Sequence, residues 1–199
     1  MSDGEAAVGA LVRAARECRA CAGDLPHEPR PVLQAEPTAR LLIAGQAPGY
    51  KVHTTGLPWN DPSGDRLRQW LDLDRATFYD PARIAIVPAA LCYPGKDDRG
   101  GDRPPPARCA PLWLERIRRA LPRLEMTLAI GQYAQRRVLG RARKKSLTAT
   151  VAAWRDYTPD VLPLPHPSWR NEAWLSKNPW FEQAVVPYVR ERVRALVVG

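Results

Sequence analysis

The chain has 199 residues, 45% of them apolar and 26% charged, which is the composition of a globular domain with room for one core. No window approaches the ~20 uninterrupted apolar residues of a membrane span, and the apolar content is too high for a wholly disordered chain, so both classes are excluded. Lys and Arg outnumber Asp and Glu by 30 to 21, a net charge of +9 that suits a polyanionic partner, although an Arg-rich solvated surface explains the charge equally well.

In chain order, Met1-Ser2-Asp3-Gly4-Glu5 is acidic and has no basic patch followed by an apolar stretch, so no secretory signal is read and the cytosol is the expected location. A helix is predicted from about Glu5 to Cys21, ending near Gly23, followed by a loop punctuated by Pro26, Pro29, Pro31 and Pro37. Arg40 to Ala44 is a short, continuously apolar run of the kind that forms a buried parallel strand, and it stops at Gly45. Further strands are predicted at Ile84–Val87, Met126–Ile130 and Val161–Leu164. Helical patterns lie between them at Gly64–Leu71, Arg108–Leu121 and Gln132–Leu139, and an amphipathic tail helix runs from Pro179 to Val198. This alternation predicts an α/β fold with a mostly parallel sheet covered on both faces. Ligands of such sheets sit beyond the carboxyl ends of the strands, which points to two unusual loops, Gly45-Gln46-Ala47-Pro48-Gly49 and Pro165-His166-Pro167-Ser168.

The four cysteines are too few for a disulfide scaffold. Cys18 and Cys21 form a CxxC pair, and Cys92 and Cys109 follow at a distance. A redox CxxC opens a helix directly after a strand, which this pair does not. Four converging thiolates serve a structural zinc or an iron–sulfur cluster, and spacing alone does not separate the two.

Taken in order, these motifs resemble the uracil-DNA glycosylase superfamily, most closely its family 4 and family 5 iron–sulfur branch. Gly45-Gln46-Ala47-Pro48-Gly49 resembles the motif GEAPG. Gly56-Leu57-Pro58-Trp59 is similar to the segment Gly-Arg-Pro-Phe, and Ser63-Gly64-Asp65-Arg66-Leu67 to the helix start that follows. His166-Pro167-Ser168 resembles the second active-site motif. Cys92-Tyr-Pro-Gly-Lys and Arg108-Cys109-Ala-Pro match the third and fourth cysteine positions. The resemblance runs from about Cys18 to the end.

It implies one domain over residues 1–199, with an amino-terminal helix and cluster-binding loop (1–39) and an α/β core (40–199). The implied core is a three-layer α/β/α sandwich around a four-stranded sheet. It also implies a 4Fe-4S cluster on Cys18, Cys21, Cys92 and Cys109, with zinc as the alternative, and a monofunctional, monomeric glycosylase that hydrolyses the bond between uracil and deoxyribose in single- or double-stranded DNA. In this reading Trp59 takes the place of the stacking Phe beneath the base. Gln46, Ala47, Pro48 and Gly49 shape the loop around it, and His166 donates a hydrogen bond to uracil O2 as negative charge develops there. Ser168, Trp169, Arg170 and Asn171 are expected to wedge into the stack or grip phosphate.

The chain departs from the family at three places. Gln46 replaces the family 4 Glu and Ala47 stands at the family 1 Asp, and neither can act as a general base. Water is therefore left to backbone carbonyls, to Gln46, or to His53, Asn60, Asp61 or Asp65. The family's pyrimidine-reading Asn falls on Pro88, with Asn60 as a candidate substitute amide. His53, on the family's acidic loop position, is either a group that positions water or traps the sugar, or a solvent-facing loop residue. The alternatives kept open are a glycosylase for hypoxanthine or xanthine, and a catalytically weak protein that binds uracil or abasic DNA.

Overall fold

Four short apolar runs form the sheet because each is buried on both faces. The computed structural model describes residues 3–98 and 100–198. In it, β1 (Leu41–Ala44), β2 (Ile84–Ile86), β3 (Met126–Ile130) and β4 (Val161–Leu164) are buried along their whole length. They are ordered β2-β1-β3-β4, and every pair is parallel rather than mostly so. Leu41 sits beside Ile84 on one side and Met126 on the other, and Leu128 sits beside Leu162. Side chains alternate between the faces: Leu41 and Ile43 enter one core, Leu42 and Ala44 the other.

The helices are α1 (Asp3–Arg16), α2 (Tyr50–Thr55), α3 (Pro62–Leu71), α4 (Arg75–Phe78), α5 (Cys109–Leu112), α6 (Leu114–Ala120), α7 (Gly131–Leu139), α8 (Leu147–Ala152), α9 (Glu172–Lys177) and α10 (Val186–Val197). Leu67, Trp70 and Leu71 of α3 and Val189, Val193 and Leu196 of α10 pack on the Leu41 face. Val8 and Val12 of α1 and Leu114 and Ile117 of α6 pack on the Leu42 face. The result is the expected three-layer α/β/α sandwich. No helix among the described residues is long and apolar enough to cross a membrane.

The first helix, the Arg108–Leu121 segment and the tail depart from their sequence prediction, each for a local reason. The first ends at Arg16, not near Gly23; Cys18 to Asp24 form tight turns, with Ala22 N–H on Arg19 O and Asp24 N–H on Cys21 O, both at 3.0 Å. Arg19 locks those turns by donating to Pro29 O at 3.2 Å. The segment predicted from Arg108 to Leu121 divides into α5 and α6 at Trp113, which leaves helical geometry (φ −124°, ψ −62°) and is buried. In the tail, Pro187 has no N–H to donate, and the preceding turn widens so that Val186 N–H reaches Phe181 O. The short helices α2, α4, α8 and α9 carry too few periodic residues to be read in advance.

The proline-rich loop before β1 also contributes. Gln34 exchanges backbone hydrogen bonds with Ile86 at 2.7 and 3.0 Å, so it covers the exposed edge of β2.

Candidate active site

The chain steps from β1 to β2 on one side and returns to β3 on the other, and such a reversal opens a crevice beyond the strands' carboxyl ends. Past β1 and β2 the two segments stay paired: Ala89 N–H donates to Gly45 O at 2.9 Å and Ala90 N–H to Gln46 O at 3.0 Å. The Gly45–Gly49 loop and Pro88 therefore leave the sheet together and face a cavity of about 260 Å³. Gln46, Ala47, Pro48, Gly49, Trp59 and His166 all line it, as do Ser168, Trp169 and Arg170 at its rim.

Trp59 is held by what surrounds it. Its φ of 55° is a left-handed value that a bulky residue adopts only under constraint, at a cost of about 1–3 kcal/mol. Two glycines make its place possible. A Cβ on Gly64 would lie 1.7 Å from the Trp59 carbonyl oxygen, and one on Gly45 would lie 2.9 Å from the indole. Buried Arg68 donates to the Trp59 carbonyl at 3.4 Å and to Tyr79 Oη at 3.3 Å, and it is paired with Asp65. The helix that carries Arg68 starts two residues earlier than predicted because Asp61 caps it, its Oδ1 accepting from Gly64 N–H at 2.8 Å, with Pro62 in the first turn.

The His166 ring lies 5.5 Å from Trp59, tilted by 33°. Burial lowers its pKa below the ordinary histidine value, opposed by the carboxylates of Asp61 and Asp102. The residue is half-buried and lines the cavity. The imidazole is therefore neutral at neutral pH, with one ring N–H to donate. Its backbone is pinned by Asn171, whose Nδ2 donates to His166 O at 2.7 Å. Asn171 thus faces the His loop, whereas Trp169 is 70% exposed with the Arg170 guanidinium 5.7 Å from its ring.

His53 and Asn60 do not line the cavity. His53 turns away on α2 into a cluster with His27, Tyr50 and Tyr93, its ring 5.3 Å from His27 and its Nδ1 buried without a hydrogen bond. Burial first, then the charges of His27 and Arg30, lower its pKa. Asp65 is turned onto Arg68. Pro88 does line the cavity and brings no donor to it.

Ser63 and Asp102 line the cavity although the sequence reading named neither for it. Ser63 was read only as part of a helix start. Asp102 sits in a Gly- and Pro-rich loop without a motif, and only its pairing with Lys96 carries it back to the cavity.

A second, smaller cavity of about 20 Å³ is lined by all four cysteines with Leu25, Pro29 and Trp113 among its apolar walls. The thiols are free, and Cys109 Sγ accepts from Leu91 N–H at 3.3 Å. Burial, with the neighbouring thiols adding to it, pushes Cys92 up to about 11 and Cys109 up to about 12. Among the described residues no three His, Cys, Asp or Glu side chains are gathered as ligands of one ion would be.

A cavity at the switch point, an aromatic floor and a neutral histidine form the kind of site that encloses a flat heterocycle and steadies charge leaving on it. The family model of the uracil DNA glycosylase superfamily matches residues 33–190, a span that holds every cavity-lining residue but Val32, holds the second cysteine pair, and begins after Cys18 and Cys21. The chain belongs to the uracil DNA glycosylase superfamily and is thereby a glycosylase-type hydrolase of DNA repair that acts on DNA.

Proposed function

We propose that the protein removes uracil from DNA by hydrolysis of its N-glycosidic bond, as a monomer in the cytosol, leaving an abasic site without cleaving the strand. The observation that carries this reading is the pairing of Trp59 with His166 across one cavity. Extruding a nucleotide costs a few kcal/mol of stacking, and a flat indole recovers part of it. His166 donates its N–H to the base O2 as the C1′–N bond lengthens and the electron pair moves onto the base. The neutral ring does this with its one N–H held as a fixed dipole, as preorganised donors do for oxyanions. Trp169 and Arg170 at the rim fill the gap in the stack and contact the backbone phosphate.

Cys18, Cys21, Cys92 and Cys109 would hold a 4Fe-4S cluster, whose contribution is structural: it ties the amino-terminal turns to the chain leaving β2 and to α5. The donor set supports this assignment, since four thiols and no other ligating group line one cavity. A single zinc draws four sulfurs to about 2.3 Å from one centre, whereas a cluster spreads them over its corners, and the iron and zinc content of the purified protein separates the two.

Pro88 favours a second reading of the substrate. Without an amide at that wall the cavity reads the pyrimidine edge less strictly, so hypoxanthine and xanthine are the competing bases. Oligonucleotides containing each base, single- and double-stranded, followed by alkali, decide the matter. Cleavage at uracil alone supports the first reading, cleavage at hypoxanthine or xanthine the second. Tight binding with intact strands at high protein concentration would make this a binding protein.

A further inference from the structure

We propose that Asp102 is the carboxylate that positions the attacking water and steadies the cationic sugar, a function that the Gln46-Ala47 loop no longer supplies. This rests on the glycosylase reading above.

Glycosidic hydrolysis leaves positive charge on the sugar, and a carboxylate beside the anomeric carbon both stabilises that charge and accepts the proton of the incoming water. Among the described residues two acidic ones line the cavity, Asp61 and Asp102. Asp61 is committed to α3, its Oδ1 held by Gly64 N–H at 2.8 Å. No hydrogen bond or ion pair to a described residue holds the Asp102 carboxylate, so both of its oxygens are available.

Its place is nonetheless defined. Asp102 pairs with Lys96 across a small hairpin closed by Asp97 N–H on Gly101 O at 2.8 Å, Gly100 N–H on Asp97 O at 3.0 Å and Gly101 N–H on Asp97 Oδ1 at 2.8 Å. Arg103 N–H then returns to Gly95 O at 2.9 Å. His166 is close enough to Asp102 for the carboxylate to oppose the lowering of its pKa by burial. A carboxylate and an imidazole on one cavity divide the work: His166 serves the departing base and Asp102 serves the sugar and the water.

The step balances without a further reactant. The C1′–N bond breaks with its electron pair going to the base, the water oxygen bonds to C1′, and one water proton passes to the Asp102 carboxylate. That proton is then returned, through solvent, to the base anion.

The test compares Asp102→Asn with Asp98→Asn, which removes an exposed carboxylate of the same hairpin that does not line the cavity. Two readouts are taken: the single-turnover rate of base release, and affinity for abasic-site DNA containing either a cationic pyrrolidine or a neutral tetrahydrofuran in place of the sugar. Asp102→Asn is expected to lower the rate by about 10²-fold or more and to weaken the cationic analogue selectively, with Asp98→Asn unchanged in both. A wild-type rate in Asp102→Asn, or equal loss on both analogues, overturns the proposal. A wild-type protein that releases no base overturns the glycosylase reading instead, and the analogue pair still decides on Asp102.

Discussion

The two cavities draw walls from one stretch of chain after β2 and have little else in common. Pro88 faces the larger, while Ala90, Leu91 and Cys92, a few residues further on, line the smaller. In the larger, polar side chains such as Gln46, Asp102 and His166 line open space, the arrangement a site needs to form bonds with something that enters it. In the smaller, thiols stand among proline, leucine and tryptophan with room for about one water, the arrangement of a fastener. On the function proposed above, chain that leaves a single edge strand serves recognition first and attachment immediately after. Damage to the two cavities should therefore separate into lost chemistry and lost integrity.

The largest expected effect is on chemistry. His166→Ala should lower the rate of base release by about 10²-fold or more while the thermal midpoint stays near that of wild type, because the ring lies at a cavity wall and not in the core. An unchanged rate would remove His166 from the mechanism. Cys92→Ser and Cys109→Ser make the opposite cut. They should abolish absorbance near ~400 nm, the expected signature of Cys₄ iron–sulfur ligation, and lower the midpoint for unfolding, while base release per folded molecule at low temperature changes little. A purified protein carrying zinc and no iron would replace the cluster with an ion.

Smaller effects refine the boundary. Trp59→Ala should weaken productive binding of the extruded base by about 1–3 kcal/mol, read as loss of rate below saturation, while the left-handed backbone strain stays, since alanine keeps the Cβ that causes it. A variant that loses stability instead would make Trp59 a core residue. Arg170→Ala should reduce the slope of log affinity against log salt by about 1 without altering base preference.

The last test concerns pH. His166 and His53 both have pKa values lowered in the folded chain, chiefly by burial. As pH falls through the ordinary value of about 6.5, the unfolded chain takes up protons that the folded chain does not, so stability is full above that pH and declines below it. Urea unfolding at about pH 7.5 and about pH 5.5 should show this loss, and His53→Gln should diminish it. A pH-independent midpoint would mean that the two rings are more open to water than their surroundings indicate.

Strands were the most legible part of the fold. Leu41-Leu42-Ile43-Ala44 and Met126 to Ile130 are apolar at every position, which only burial on both faces explains. Helix boundaries were less so, since the start of α3 depends on the Asp61 cap and the end of α1 on turns held by Arg19. In the site, Trp59, His166 and the Gly45–Gly49 loop were readable because each belongs to a contiguous motif, the last two beside a strand end and Trp59 just before α3. Asn171 and His53 were not separable from their neighbours by sequence: one turns to the His166 carbonyl and the other to an aromatic cluster, and a helical turn decides both directions.

By itself the sequence determined the parallel sheet, the two loops at its carboxyl edge and the four thiols available for a common task, because apolar runs, prolines and cysteines act through neighbours in the chain. The tertiary structure alone decided that Trp59 faces His166, that the cysteines share a cavity distinct from theirs, and that Asp102 enters the site. The physical reason is that each of these is a meeting of segments far apart in sequence, set by sheet order, by two glycines that admit an indole and by a hairpin with no motif of its own.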